Sequence, residues 1–127
     1  METMFTVEFY ETEDGEKPVR DFLISLEPKM RTKMAKMIKL LGEKGTELRE
    51  PFTKPLEDGI FELRTIQGSN ISRALFFFYV NNKIVITNGF IKKTPKTPGK
   101  EIALAKYRRK DYLRQEKKKG EKKNGDD

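Results

Sequence analysis

The sequence contains no cysteine, no histidine and no tryptophan. Without cysteine there is neither a disulfide framework nor thiolate chemistry. Without histidine the commonest metal ligand and the usual proton shuttle are both missing. No apolar run approaches the roughly 20 residues of a membrane span, so no membrane association is expected. Met1 leads straight into charged residues, so no signal peptide is expected and the cytoplasm is the expected location. What remains is a chain of 127 residues, long enough for one domain with a modest core. Charged residues make up 37% and mean hydropathy is −0.75, values that approach those of disordered chains, but nine Phe and four Tyr supply a core.

Lys and Arg number 27 against 20 Asp and Glu, a formal charge of +7 that suits a polyanionic partner. The surplus is localised. Residues 1–91 carry 13 basic and 14 acidic side chains, whereas residues 92–114 carry nine basic and two acidic ones. Residues 115–127, rich in Lys but nearly neutral, have no apolar residue and read as a disordered charged tail after a single domain at 1–114.

Hydrophobic spacing predicts an α+β fold. Residues 4–10 read as a strand. Pro18 opens a helix carrying Val19, Phe22, Leu23 and Leu26, and Pro28 starts a second with Met30, Met34, Met37, Ile38 and Leu41 on one face, ending at Gly42 or Gly45. The stretch 45–57, with Pro51 and Pro55, reads as a loop. Residues 59–91 then form a three-stranded antiparallel meander that completes one sheet with the N-terminal strand. Thr97 is a plausible N-cap for a basic C-terminal helix over 99–114, with Pro98 at its first position and Ile102, Ala105, Tyr112 and Leu113 inward.

The two turns of the meander set its register. Gly68-Ser69 suits a two-residue hairpin and places Gln67 opposite Asn70, Arg64 opposite Arg73 and Glu62 opposite Leu75. Asn81-Asn82 tolerate positive φ and place Val80 opposite Lys83, Phe77 opposite Ile86 and Arg73 opposite Phe90. With period-2 alternation, one face gathers Phe61, Leu63, Ala74, Phe76, Phe78, Val80, Val85 and Ile91 for the helices. The other gathers Glu62, Arg64, Arg73, Asn88 and Lys92 among Ile60, Leu75, Phe77 and Ile86.

Arg64 and Arg73 are thus directly opposed like charges, destabilising unless an anion lies between them. That anion is either Glu62, in a structural ion-pair network, or the phosphate of a ligand, since Arg offers bidentate donors and Lys a compact charge. Lys92 and Lys93 extend the patch. For RNA cleavage by the neighbouring 2′-OH, Arg and Lys would stabilise charge on the phosphate. Proton transfer would fall to a carboxylate such as Glu62, a Tyr, or a Lys whose proton is loosened by neighbouring cations. Lys54, Lys96, Lys100, Lys106, Arg108, Arg109 and Lys110 are further candidates for contacts with RNA. No metal-ligand spacing, phosphate-binding glycine loop or nucleophilic triad is present, so no metal or cofactor is expected.

The element order, the hairpin FELRTIQGSNISRALFFFYV and the segment Gly89-Phe90-Ile91-Lys92-Lys93-Thr94-Pro95-Lys96-Thr97-Pro98, followed by Glu101-Ile102 and Ala105, resemble the RelE/HigB-type toxins of toxin–antitoxin modules, and within them the phage-derived HigB-like branch. The resemblance spans about residues 4–113. It implies an α+β RelE-like fold, endoribonuclease activity on mRNA in the ribosome, and a cognate helix-turn-helix antitoxin. By position it places Arg64 and Arg73 among the phosphate-binding strand residues and Lys92 or Lys93 at the basic position after the last strand. The chain departs from the pattern in lacking the His of some relatives and a Tyr at the start of the last helix, the nearest being Tyr107. The basic segment at 92–114 suits either ribosomal RNA or an acidic antitoxin segment. Two other functions fit the same chain: a ParE-like, non-enzymatic inhibitor of DNA gyrase, and a plain basic nucleic-acid-binding module.

Overall fold

The computed structural model describes residues 4–91 and 95–125. Strand β1 (Thr6–Phe9) is followed by helices α1 (Pro18–Ser25) and α2 (Pro28–Lys44) and a short 3-10 turn at Gly45–Glu47. Strands β2 (Thr53–Glu57), β3 (Ile60–Gln67), β4 (Asn70–Tyr79) and β5 (Lys83–Ile91) then lead to helix α3 (Gly99–Gly125). The expected α+β architecture is present, as one five-stranded sheet in the order β1-β5-β4-β3-β2. β1 runs parallel to β5 and the other pairs are antiparallel.

Proline sits at the first position of α1 and of α2, where its missing N–H has no helical partner to lose. Arg31 of α2 donates through Nε to the Leu23 carbonyl and through Nη2 to those of Ile24 and Leu26, satisfying the open end of α1. Gly45 closes α2 at φ +54°, against the ring of Phe5, where a side chain would be both strained and obstructed.

Each face of the sheet has its own core. Leu63, Ala74, Phe76, Ile84 and Ile86 pack with Val19, Leu26, Met30, Met34 and Leu41 of α1 and α2. Ile60, Leu75, Phe77 and Val85 pack on the other face with Tyr10, Tyr112 and Ala105 of α3.

Several expectations change. The stretch read as a loop contains β2, an edge strand where Pro55 need not donate to a ladder. The β3–β4 register is as expected, from Gln67↔Asn70 to Glu62↔Leu75. The next hairpin pairs Tyr79, not Val80, with Lys83, because its turn takes three residues, with Asn81 and Asn82 at φ +62° and +55°. A bulge at Thr87 then restores the expected Arg73↔Phe90 pairing. Between turn and bulge the faces are therefore exchanged: Val85 lies under α3, Ile86 under α1 and α2, and Val80 is exposed. Finally, α3 continues to Gly125 instead of ending near 114. Gln115 and Glu116, read as tail, bond to the Glu11 carbonyl and to Tyr112. Of the residues expected inward on α3, Ala105 is fully buried and Tyr112 half-buried, but Leu113 is exposed.

Gly89 lies on β5 beneath Phe22 of α1, and a Cβ there would stand 2.4 Å from the ring. Gly89→Ala is expected to cost about 1–3 kcal/mol by overpacking, read as a lower urea midpoint with an unchanged slope.

Candidate functional site

Alternation along the strands gathers the charged candidates into two rows on the α3 face. One row runs Lys54, Glu62, Leu75, Asn88 across β2, β3, β4 and β5; the next runs Arg64, Arg73, Phe90. The opposed arginines meet their anion within the chain. Glu62 Oε1 lies 3.6 Å from Arg64 Nε, and its Oε2 lies 3.7 Å from Arg73 Nη1. Glu62 and Arg73 are 1% and 0% exposed, whereas the Arg64 side chain is 28% exposed. At this depth each charge depends on the others, since an isolated buried ion is far costlier than a paired one.

The beginning of α3 is bonded to this cluster. Thr97, expected as an N-cap, instead donates its hydroxyl to Glu62 Oε2, and the Pro98 carbonyl accepts the first helical bonds from Glu101 and Ile102. Asn88 Nδ2 donates to the side chain of Glu101 at 3.0 Å and to its carbonyl at 3.3 Å. Glu62, a candidate base from the sequence, is thereby enclosed: it accepts a hydroxyl, faces two guanidiniums and does not reach solvent. Arg64 is the member of the cluster that does.

Beside the cluster, a cleft of about 390 Å³ opens between β2 and the start of α3, lined by Lys54, Pro55, Leu56, Glu57, Pro95, Lys96, Thr97 and Ile102. Lys54 is directly opposite Glu62 and diagonal to Arg64 on the same face. Lys54 and Lys96 are both exposed. A larger cavity, about 500 Å³, lies on the other face among Leu48, Phe61, Phe76 and Phe78, separated by the sheet from the arginines.

The remaining candidates divide sharply. Lys92 and Lys93 lie outside the described residues. Lys100 and Lys110 are exposed. Lys106 pairs with Glu57 at 2.5 Å, and Arg109 pairs with Asp58 at 2.9 Å and donates to its carbonyl. Arg108 donates to the Thr87 carbonyl at the bulge and stands over the Tyr10 ring, 5.6 Å from its centre. These three cations fasten α3 to the sheet, so the basic segment is only partly a free surface. Among the described residues, no three His, Cys, Asp or Glu side chains are placed to hold a metal, and no helix is long and apolar enough to cross a membrane.

Sequence reasoning missed a second network at the far end of α3. Tyr10 donates to Asp111 Oδ2 at 2.5 Å, and Tyr112 donates to Glu8. Glu8 on β1 and Tyr10 just beyond its end, two residues apart, both meet α3. Burial, helped by the bond to Asp111, raises the Tyr10 phenol well above its ordinary range, and burial with the Glu8 bond does the same to Tyr112. The Tyr10 hydroxyl holds the Asp111 carboxyl below the usual range, and burial lowers Arg108.

A family model described as phage-derived protein Gp49-like matches residues 21–110. No curated protein matches the chain. Among solved structures, the archaeal RelE–RelB complex from Pyrococcus horikoshii OT3 contains a chain with a similar fold. The TM-score is 0.52 at 17% identity, covering 74% of this chain and 100% of that one.

Two outcomes follow from the charge networks. Glu62→Ala leaves its two arginines facing each other and is expected to cost about 3–5 kcal/mol, measured by urea unfolding. The second concerns pH. Asp111 binds its proton less readily folded than unfolded, so its contribution is present above about pH 4 and lost as pH falls through the carboxylate range. Tyr10 is raised, so its contribution is present below about pH 10 and lost as pH rises beyond it. Unfolding midpoints should decline at both ends, and Tyr10→Phe should cost about 1–2 kcal/mol near neutrality while flattening both declines.

Proposed function

The chain belongs to the phage-derived Gp49-like family, and from that membership, the RelE-like fold and the arginine cluster we propose that it is the toxin of a type II toxin–antitoxin module. We assign it to the HigB-like branch, acting as a metal-independent endoribonuclease on mRNA in the ribosome. Its partners in this proposal are the ribosome with its mRNA and a cognate helix-turn-helix antitoxin, all in the cytoplasm.

The observation that carries the proposal is an arginine, held from beneath by Glu62 and reaching solvent, beside a cleft lined by two exposed lysines. Glu62 lies against Arg64 at 3.6 Å on a strand of the sheet. Lys54 and Lys96 line the cleft beside it. Three cations from three segments can hold successive phosphates of one strand, and an arginine built on a strand stays in place as charge develops on the phosphoryl oxygens. Cleavage then proceeds by attack of the neighbouring 2′-OH on the phosphorus, with loss of the 5′ oxygen of the next nucleotide. Arg64 stabilises the charge on the phosphoryl oxygens, and Lys54 and Lys96 hold the flanking phosphates. Buried Glu62 and Arg73 fix the position of Arg64 and do not themselves touch the RNA. Lys92 and Lys93 follow β5, beyond Ile91, and in this reading stabilise charge and move protons.

The test is translation in a cell-free system with mapping of mRNA ends. The parent should arrest synthesis and cut mRNA only when ribosomes are present. Arg64→Ala should lower the cleavage rate by about 10²–10³-fold, the usual loss of one donor to a developing oxyanion. Equal arrest by parent and Arg64→Ala overturns the assignment, and relaxed plasmid with intact mRNA points to gyrase instead.

A further inference from the structure

The near-neutral total of residues 1–91 conceals a strongly basic element. Helix α2 carries Lys29, Arg31, Lys33, Lys36, Lys39 and Lys44 against Glu43 alone, a net of +5 in 17 residues. Its apolar stripe, with Met30, Met34 and Leu41, is buried against the sheet on the face away from the arginine cluster. On its outer side, Lys29, Lys33 and Lys36 fall within about 60° of arc, and Lys44 prolongs the line to about 22 Å along the axis.

All four are exposed. Lys33 reaches only the Ile66 carbonyl, at 3.2 Å, and none of the four forms an ion pair among the described residues. Arg31 is different, since its guanidinium is taken by the carbonyls at the end of α1.

This pattern contrasts with the rest of the surface. Lysines three or four residues apart on a helix repel one another, and acids at that spacing are the ordinary remedy. On helix α3 the cations are matched: Arg114 pairs with Asp111 three residues before it, and Lys106 and Arg109 pair with Glu57 and Asp58 at the β2–β3 connection. Helix α2 has no acid from Pro28 to Leu41. The repulsion is relieved when a polyanion lies along the line.

The composition of the face identifies which polyanion. Protein partners are anchored by aromatic and apolar side chains. Between Pro28 and Lys39 the exposed positions of α2 other than its cations are Pro28, Thr32 and Ala35, which offer no such anchor. A phosphate backbone needs only positive charge in a row.

We infer that the outer face of α2, centred on Lys29, Lys33 and Lys36, binds the phosphate backbone of structured RNA, on the opposite side of the sheet from the cleft. The inference rests on the proposed function only in naming ribosomal RNA as that backbone.

The experiment compares the full chain with a Lys29→Gln, Lys33→Gln, Lys36→Gln variant. Binding to purified ribosomes, to bulk transfer RNA and to poly-L-glutamate is measured over a series of KCl concentrations. Equal thermal midpoints show that the variant is folded, as expected for exposed positions. The variant should bind both RNA probes about tenfold or more weakly, and its slope of log K against log salt should fall by about 2–3. Unchanged RNA affinity and slope overturn the inference. So does a loss confined to poly-L-glutamate, which marks the face as a dock for an acidic protein. If the parent fails to arrest translation but transfer RNA binding still depends on the three lysines, the surface stands and the nuclease reading falls.

Discussion

The carboxylate of Glu62 sits where two guanidiniums converge, and the arrangement of the sheet and the last helix both follow from it. Arg64 and Arg73 are directly opposed across β3 and β4, a pairing that repels by itself. Glu62 lies against both, on the same face and two positions from Arg64, so the hairpin carries the counter-charge for its own like pair. Thr97 donates to that same carboxylate. Electrostatic balance within the sheet and the docking of the α3 N-terminus are therefore one interaction. It leaves Arg64 held from below and open above, an arrangement suited to an anion that arrives from solvent.

The cations of the molecule are divided between two tasks. On α3, Lys106, Arg108 and Arg109 are turned inward to Glu57, the Thr87 carbonyl and Asp58, and they attach the helix to β2, β5 and the β2–β3 turn. Among the described residues, the lysines of the cleft and of α2 form no ion pair with a carboxylate. Local density of basic residues along the chain is thus a poor guide to where an anion is received. A cation already facing a carboxylate has little field left to offer.

How legible each part was depended on how local its determinants are. The β3–β4 register, and with it the Arg64–Arg73 opposition, could be read because Gly68 in a two-residue turn fixes every pair after it. The β4–β5 hairpin was read one residue out near its turn. A three-residue connection and a bulge cancel each other, and neither leaves a mark in the alternation of so apolar a strand. β2 was missed because Pro55 argues against a strand until its edge position is known. The length of α3 was hidden by its lysine-rich end, whose first turn is secured by contacts to Glu8 and Glu11 about a hundred positions earlier. The partners of Lys106 and Arg109 lie about fifty positions away, on the β2–β3 turn, and no spacing rule joins them. Composition named the charges of the site but could not say which of them were already matched.

The parallel pairing of β1 with β5 places the first strand of the chain beside the last. Thr6 is joined to Lys83, so β1 has no strand to lie against until the β4–β5 hairpin has formed. Contacts so distant along the chain are slow to form, because a long loop must be closed before any of them is gained. In chain order β2, β3 and β4 precede the strand that β1 pairs with, so the N-terminal strand gains its neighbour only once β5 exists. The Tyr10 and Glu8 contacts to α3 come later still. The order of synthesis and the order of assembly are opposed at this edge, and the molecule is whole only when almost all of it has been made.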